Sequence, residues 1–500
     1  MYSRAGFASA YMATIVVLAL ATQLPAVAAS GKQKAHDIDR LIAAYHEQDR
    51  FMGTALVAEA GKVIHKAGYG MANMEWDIPN RPDIRFRLGS ITKQFTSAII
   101  MQLVEEKKLD LETPISTYLP EYREDTGGRV TTHHLLSHTS GIPSYTSLPG
   151  FFEDLSRDPY DPDEFTSQYC SDDLEFEPGS KWNYSNSGYF LLGLIIEKIT
   201  GSSYEQVLQE RILDPLGLKD TGYDHHGTIL ERRASGYSQV LDEYENASYL
   251  DMSIPYAAGS LYSTVEDLYL WDQALHTDKL MSAAAREKMF TPVLNDYGYG
   301  WAIQEIPVGD TDRKVKTVSH GGGINGFNTL ITRLVDDRHL IVLLNNTDGA
   351  PLGEMMQDIV RVLYDQPFEM PELPVGRGLV DALFDKGLDD AMANHATAIE
   401  ADPEYAPNLE QEINQRGYEL LMANHATEAV EAFRLNAALF PASSNVHDSL
   451  GEALMATGQR QEAIRSYARS LEMDPDNANA VTRLAALMEM PRPEEKEEED

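Results

Sequence analysis

The chain has 500 residues, 43% of them hydrophobic, a formal net charge of −37 and one cysteine, Cys170. That is enough apolar material for two or three domains with at least one sizeable core, which excludes a disordered chain. The negative charge argues against nucleic acid and anionic lipid headgroups as partners, and a lone cysteine excludes an internal disulfide.

At the N-terminus, Arg4 precedes an uncharged apolar stretch densest from Tyr11 to Leu20, followed by the small-residue site Ala26-Val27-Ala28. This pattern predicts a cleaved secretory signal over residues 1–28 and a secreted or periplasmic protein of net charge −38. An uncleaved anchor is the alternative, weakened by Thr14, Thr22, Gln23 and Pro25, and no second span follows. "GTALVAEAGKVIHKAGYG" (53–70) reads as two strands around an Ala-Gly-Lys turn. From Thr92 to about Met289 the apolar spacing is helical, broken by loops such as "SLPG" and "DPYDPDEF". "VKTVSH", "FNTLITRLV" and "HLIVLLNNT" then give three more strands within 315–347. Strands at both ends of a helical insertion predict an α+β domain over 36–365, an antiparallel sheet closed by both termini and flanked by helices.

The Pro-rich stretch 366–378 reads as a linker. Beyond it Ala429 and Ala463, Phe433 and Tyr467, Gly417 and Gly451, and Pro441 and Pro475 are each 34 residues apart, with Ala391 and Pro403 opening a stretched third copy. The period resembles tetratricopeptide (TPR) repeats and implies an all-α array over 379–484, suited to binding a protein partner. Residues 485–500, ending "EEKEEED", read as a solvated acidic tail.

Chemistry is concentrated in three places. "RLGSITKQFTSAII" sets Ser90 and Lys93 three apart at the start of an apolar helix, so that the amine reaches the hydroxyl. A cation in a first helical turn opposes the helix dipole, and the all-round apolar helix would strip water from Lys93; both effects favour a neutral amine. "KWNYSNSGY" places Tyr184 and Asn186 on a turn ahead of "FLLGLIIEKI", whereas the similar Tyr244-Glu245-Asn246 lacks an adjoining helix and carries an acid. "VSHGGGINGFNTLITRLV" contains Gly321, Gly323 and Gly326 in a dinucleotide-type spacing, but a strand and not a helix follows, so no phosphate cradle forms. Glycines there instead bare backbone N–H groups to a ligand. His134 and His138 are four apart without the glutamate of a zinc-protease helix and read as structural; neither metal nor cofactor is expected.

Taken in order, Ser90-Ile-Thr-Lys93, Tyr184-Ser-Asn186 and His320-Gly-Gly322, with "HHLLSHTSGIP" and "EPGSKWNYSNSGY", resemble the penicillin-recognising serine hydrolases, in particular the class C beta-lactamase-like branch that includes D-alanyl-D-alanine carboxypeptidases and esterases. The resemblance implies that Ser90 is the nucleophile of an acyl-enzyme, Lys93 and Tyr184 handle its proton, and Asn186 orients Lys93 and substrate. It also implies that His320 and Gly322 line the substrate site, and that the N–H groups of Ser90 and Gly323 form the oxyanion hole. Lactamases of this branch usually carry Lys-Thr/Ser-Gly where this chain has His320-Gly321-Gly322, which removes a cation and a hydroxyl from carboxylate recognition. The expected activity is therefore that of an esterase or D-amino-acid peptidase on a small ester, amide or peptide. The alternatives are a beta-lactamase and a penicillin-binding or peptidoglycan-sensing protein with little turnover.

Overall fold

The computed structural model describes residues 30–152, 154–240, 243–401 and 408–489. The expected signal segment, most of the acidic tail and Pro403 lie outside the described residues. Helix α1 (Gly31–Glu47) leads into the hairpin β1 (Gly53–Glu59) and β2 (Lys62–Tyr69). Its turn is made by Ala60 and Gly61, both with positive φ. The helical region follows, including α2 (Thr92–Glu105), α3 (Asn186–Thr200) and α4 (Val265–Leu275). The chain then returns through β3 (Ala302–Pro307), β4 (Lys314–Ile324), β5 (Phe327–Leu334), β6 (His339–Asn345) and α5 (Leu352–Leu363).

These strands form one six-stranded sheet in the order β3-β4-β5-β6-β1-β2. Every neighbouring pair is antiparallel, and β1 beside β6 closes the sheet with strands from the two ends of the domain. Alternation along β1 and β6 splits the apolar residues between two cores. Leu56, Ala58, Leu340, Val342 and Leu344 face the helical region, while Ala55, Val57, Ile341 and Leu343 face α1 and α5. Both faces are covered, which explains why these strands read as continuous apolar runs. The terminal helices are tied together by Lys34, whose Nζ donates to Leu363 O at 2.6 Å, and by Tyr45, whose hydroxyl lies 2.7 Å from both Glu354 Oε1 and Asp358 Oδ2.

Two boundaries differ from the sequence reading. Strand β3 has no counterpart there, because this edge strand exposes Gln304, Glu305 and Pro307 and carries little apolar signal. The stretch 366–378 is not linker throughout, because a helix starts at Val375. The reason is a tertiary contact: a Cβ on Gly376 would lie 2.6 Å from Glu412 Cβ, so glycine lets this helix approach a later one.

That helix, α6 (Val375–Lys386), opens a run continued by α7 (Leu388–Ala401), α8 (Leu409–Met422), α9 (Ala426–Leu439), α10 (Ser444–Ala456), α11 (Arg460–Met473) and α12 (Ala478–Glu489). They share a core of their own. The 34-residue period has a steric basis, since a Cβ on Gly417 would lie 2.5 Å from the Phe433 ring and one on Gly451 2.8 Å from Tyr467. Each hairpin is thus a small residue receiving an aromatic plate. Among the described residues no helix is long and apolar enough to cross a membrane.

Candidate active site

Ser90 is the middle residue of a single 3-10 turn, Gly89–Ile91, that runs directly into α2, and its side chain caps nothing. Gly89 has φ +54° and a Cβ there would lie 2.8 Å from Gly323 O, so only glycine lets this turn meet the sheet. The meeting place is the end of β4. Strand β3 pairs with β4 no further than Ser319, whereas β5 accompanies it to Ile324. The glycines 321–323 therefore continue the strand, which the sequence reading ended at His320, and present an edge that β3 leaves uncovered. Gly322 packs hard against the turn: a Cβ would lie 1.9 Å from Leu88 O, and Thr329 Oγ1 donates to that same oxygen at 2.8 Å. A Cβ on Gly323 would meet nothing within 4 Å. It borders a cleft of about 210 Å³ lined by Ser90, Tyr145, Thr146, Phe152, Asn186 and Leu250 among others.

Lys93 is fully buried in the first turn of α2. Its Nζ lies 3.1 Å from Ser90 Oγ, 2.8 Å from Asn186 Oδ1 and 2.9 Å from Ala258 O. None of these partners is anionic, so burial holds the amine well below the usual lysine range. Faces of Tyr184 and Tyr189 stand 4.9 and 5.4 Å away. Asn186 opens α3, with Ser185 as the N-cap, and its Nδ2 donates to Thr146 Oγ1 at 3.2 Å. Burial holds the phenol of Tyr184 above the ordinary tyrosine value, outweighing the lowering effect of the nearby Ser90 hydroxyl.

His320 is also buried, and both ring nitrogens are engaged. Nδ1 donates to Gly321 O at 2.5 Å, leaving Nε2 to accept the Tyr297 hydroxyl at 2.8 Å. Burial, reinforced by Lys93, pushes its pKa down to about 4, so His320 is neutral near pH 7. The ring does not replace the missing cation of the third motif.

All seven expected site residues, Ser90, Lys93, Tyr184, Asn186, His320, Gly322 and Gly323, thus converge on one place. Tyr244 lies elsewhere, in a hairpin with its hydroxyl toward Asp49. The sequence reading missed Tyr297 and gave His138 no place in the site. His138 stacks on Tyr184 at 4.2 Å, and its Nδ1 accepts the Ser185 N–H at 3.1 Å, which fixes the Tyr184-Ser185-Asn186 turn. "YGYGW" was the available signal for Tyr297, since a Cβ on Gly300 would lie 2.8 Å from Lys93 O and the stretch must therefore run against α2. His134 accepts the Thr131 N–H at 3.1 Å as part of a helix cap, and His133 bonds the Tyr299 hydroxyl at 2.7 Å. No described group of three His, Cys, Asp or Glu side chains is arranged to hold a metal ion.

The family model described as Beta-lactamase matches residues 38–364, and a Tetratricopeptide repeat model matches residues 444–477. Penicillin-binding protein 4* of Bacillus subtilis is 29% identical over 475 residues, covering 87% of this chain and 99% of that protein. Teichoic acid D-alanine hydrolase of Staphylococcus aureus is 27% identical over 316 residues, covering 61% and 72%. Among solved structures, a penicillin binding protein from Bacillus halodurans superposes with a TM-score of 0.56 at 28% identity, covering 63% of this chain and 97% of its own.

Proposed function

Because the chain belongs to the beta-lactamase family and is a serine hydrolase carrying tetratricopeptide repeats, we propose that Ser90 is its nucleophile, acting on esters or on amides of D-amino acids. One observation carries the proton step. A neutral lysine amine has two hydrogens and one lone pair, and Lys93 has three neighbours. Asn186 Oδ1 and Ala258 O can only accept, so they take both hydrogens and turn the lone pair toward Ser90 Oγ. Lys93 thus removes the proton as Oγ attacks the carbonyl. Tyr184, held protonated by burial beside Ser90, passes a proton to the leaving group and takes one from Lys93 in exchange. The N–H groups of Ser90 and Gly323 receive the oxyanion.

The neutral His320 supports the preference for esters and D-amino-acid substrates over penicillins, whose carboxylate calls for a cation at that strand. The name of one relative, a teichoic acid D-alanine hydrolase, supports the D-amino-acid part of this range. The sequence pattern of residues 1–28 supports export to the periplasm or beyond, and the repeats support a protein partner. The test is labelling with a fluorophosphonate and with fluorescent penicillin, followed by peptide mapping. A fluorophosphonate label on the Ser90 peptide with steady p-nitrophenyl ester turnover supports the reading. A penicillin label that never leaves supports a sensor instead, and a folded protein that takes no label overturns both.

A further inference from the structure

Beside the Ser90 cleft lies a second cavity of about 410 Å³, and Leu250 and Asn325 line both. Its basic side chains are Arg87, Arg233 and His226, and no Asp or Glu lines it, in a chain whose net charge is −37. Arg87 is three residues before Ser90, on the short strand Phe86–Arg87. Arg233 is held beside it by backbone bonds from Arg85 N to Arg232 O at 2.8 Å and from Ala234 N to Arg85 O at 3.0 Å. The two guanidinium groups share a single carboxylate beneath the cavity floor. Arg87 Nε donates to Asp224 Oδ2 at 2.7 Å and Arg233 Nη1 to Asp224 Oδ1 at 2.8 Å. Asp224 is 1% exposed, the arginine side chains 12% and 28%.

One carboxylate neutralises one guanidinium, so the pair keeps a unit of positive charge. The carboxylate also orients both groups while occupying one nitrogen of each. Both nitrogens Nη1 and Nη2 of Arg87, and Nε and Nη2 of Arg233, make no hydrogen bond among the described residues. Two planar donors held by a buried anion and facing a cavity match the geometry of an oxyanion. The shared wall is fixed as well: His226 Nε2 donates to Leu250 O at 2.5 Å, and Asn325 Nδ2 donates to Ser248 O at 2.9 Å.

We infer that this cavity is an anion subsite of the hydrolase, in which Arg87 and Arg233 hold a phosphate or carboxylate group of the substrate while its carbonyl lies at Ser90. The inference rests on the assignment of Ser90 as nucleophile and narrows the substrate to an ester or amide carrying a negative charge away from the reacting bond.

Two readouts separate the subsite from the chemistry. In Ser90→Ala protein, calorimetric titration with inorganic phosphate and, separately, with acetate shows saturable binding of at least one anion, weakened at least ten-fold by the further change Arg233→Gln. In the enzyme with Ser90 intact, three phenyl esters of equal length ending in methyl, carboxylate or phosphate are compared. The ratio of kcat/KM for a charged ester to that for the methyl ester exceeds one and falls about ten-fold in Arg233→Gln, a ratio from which any loss of folded enzyme cancels. Which anion binds distinguishes a carboxylate from a phosphate substrate. Absence of binding by both anions overturns the inference, as does an unchanged affinity or ratio in Arg233→Gln. If no ester is turned over, the assignment of Ser90 fails while the titration still decides the anion site.

Discussion

Replacing Asn186 by Asp changes one atom of the site and reverses the electrostatics of Lys93. The side chain keeps its shape, but a neutral acceptor 2.8 Å from Nζ becomes a carboxylate. Two unit charges about 4 Å apart attract by about 4 kcal/mol at an effective dielectric constant of about 20. At about 1.36 kcal/mol per unit, that raises the lysine pKa by about 3 units. Desolvation of the new carboxylate returns part of this, leaving about 2 to 3 units. A raised pKa means the free base appears only at higher pH, so the fraction able to accept the Ser90 proton falls about 100- to 1,000-fold at pH values well below the parent lysine pKa, and by less at neutral pH. The assay is kcat/KM for a p-nitrophenyl ester from about pH 5 to about pH 10, with thermal melts to confirm folding. The acid limb moves upward by those 2 to 3 units, and activity recovers toward the alkaline end. An acid limb that stays in place, or a loss equal at every pH, would refute the assignment of Lys93 as the base.

Tyr184→Phe keeps the ring that stacks on His138 and faces Lys93 while deleting the hydroxyl beside Ser90. Acylation measured by rapid-mixing burst kinetics falls by about 100- to 10,000-fold, with little change in melting temperature. The two neighbouring glycines separate packing from access. Gly322→Ala forces a Cβ to within 1.9 Å of Leu88 O and lowers stability by about 1 to 3 kcal/mol in denaturant titration, whereas Gly323→Ala melts like the parent but raises KM by narrowing the cleft. Stability also carries the mark of His320. With its folded pKa near 4 and an unfolded value near 6.5, the unfolded chain takes up the proton first as pH falls, so this residue's contribution of about 3 kcal/mol is present above pH 6.5 and lost by about pH 4. Melts across that window are flatter by that amount in His320→Gln.

The sheet was legible because both of its faces are buried, which left β1 and β6 as apolar runs that composition alone reveals. Edge strand β3, half exposed, left no such trace. The site was legible where chemistry fixes residue type and spacing, as in Ser90 and Lys93 or Tyr184 and Asn186. Tyr297 and His138 escaped because their roles come from long-range packing: a tyrosine 23 residues before His320 bonds its ring, and a histidine 46 residues before Tyr184 stacks on it. The glycines of β4 were read as the end of a strand because local propensity disfavours them in one. Their reason is the turn that lies against them, a contact invisible to any local pattern.

The lysine in the first turn of α2, unfavourable for a helix, is what the site requires. Three local effects act on it in one direction: it is stripped of water, it sits at the positive end of the helix, and only neutral oxygens face its amine. The excess of acids over the whole chain acts oppositely, but charges beyond about 8 Å are screened at physiological salt, so the local effects win. Burial pushes the phenol of Tyr184 upward by the same mechanism, so the environment favours a free amine beside an intact hydroxyl. In the proposed mechanism, once the Ser90 proton reaches Lys93 the ammonium has no counter-ion among the described residues, only the faces of Tyr184 and Tyr189. These stabilise a desolvated cation by about 2 kcal/mol, less than its desolvation costs. The proton is therefore held briefly and returned through the hydroxyl of Tyr184, which makes the pair a relay with the lysine as its receiving end.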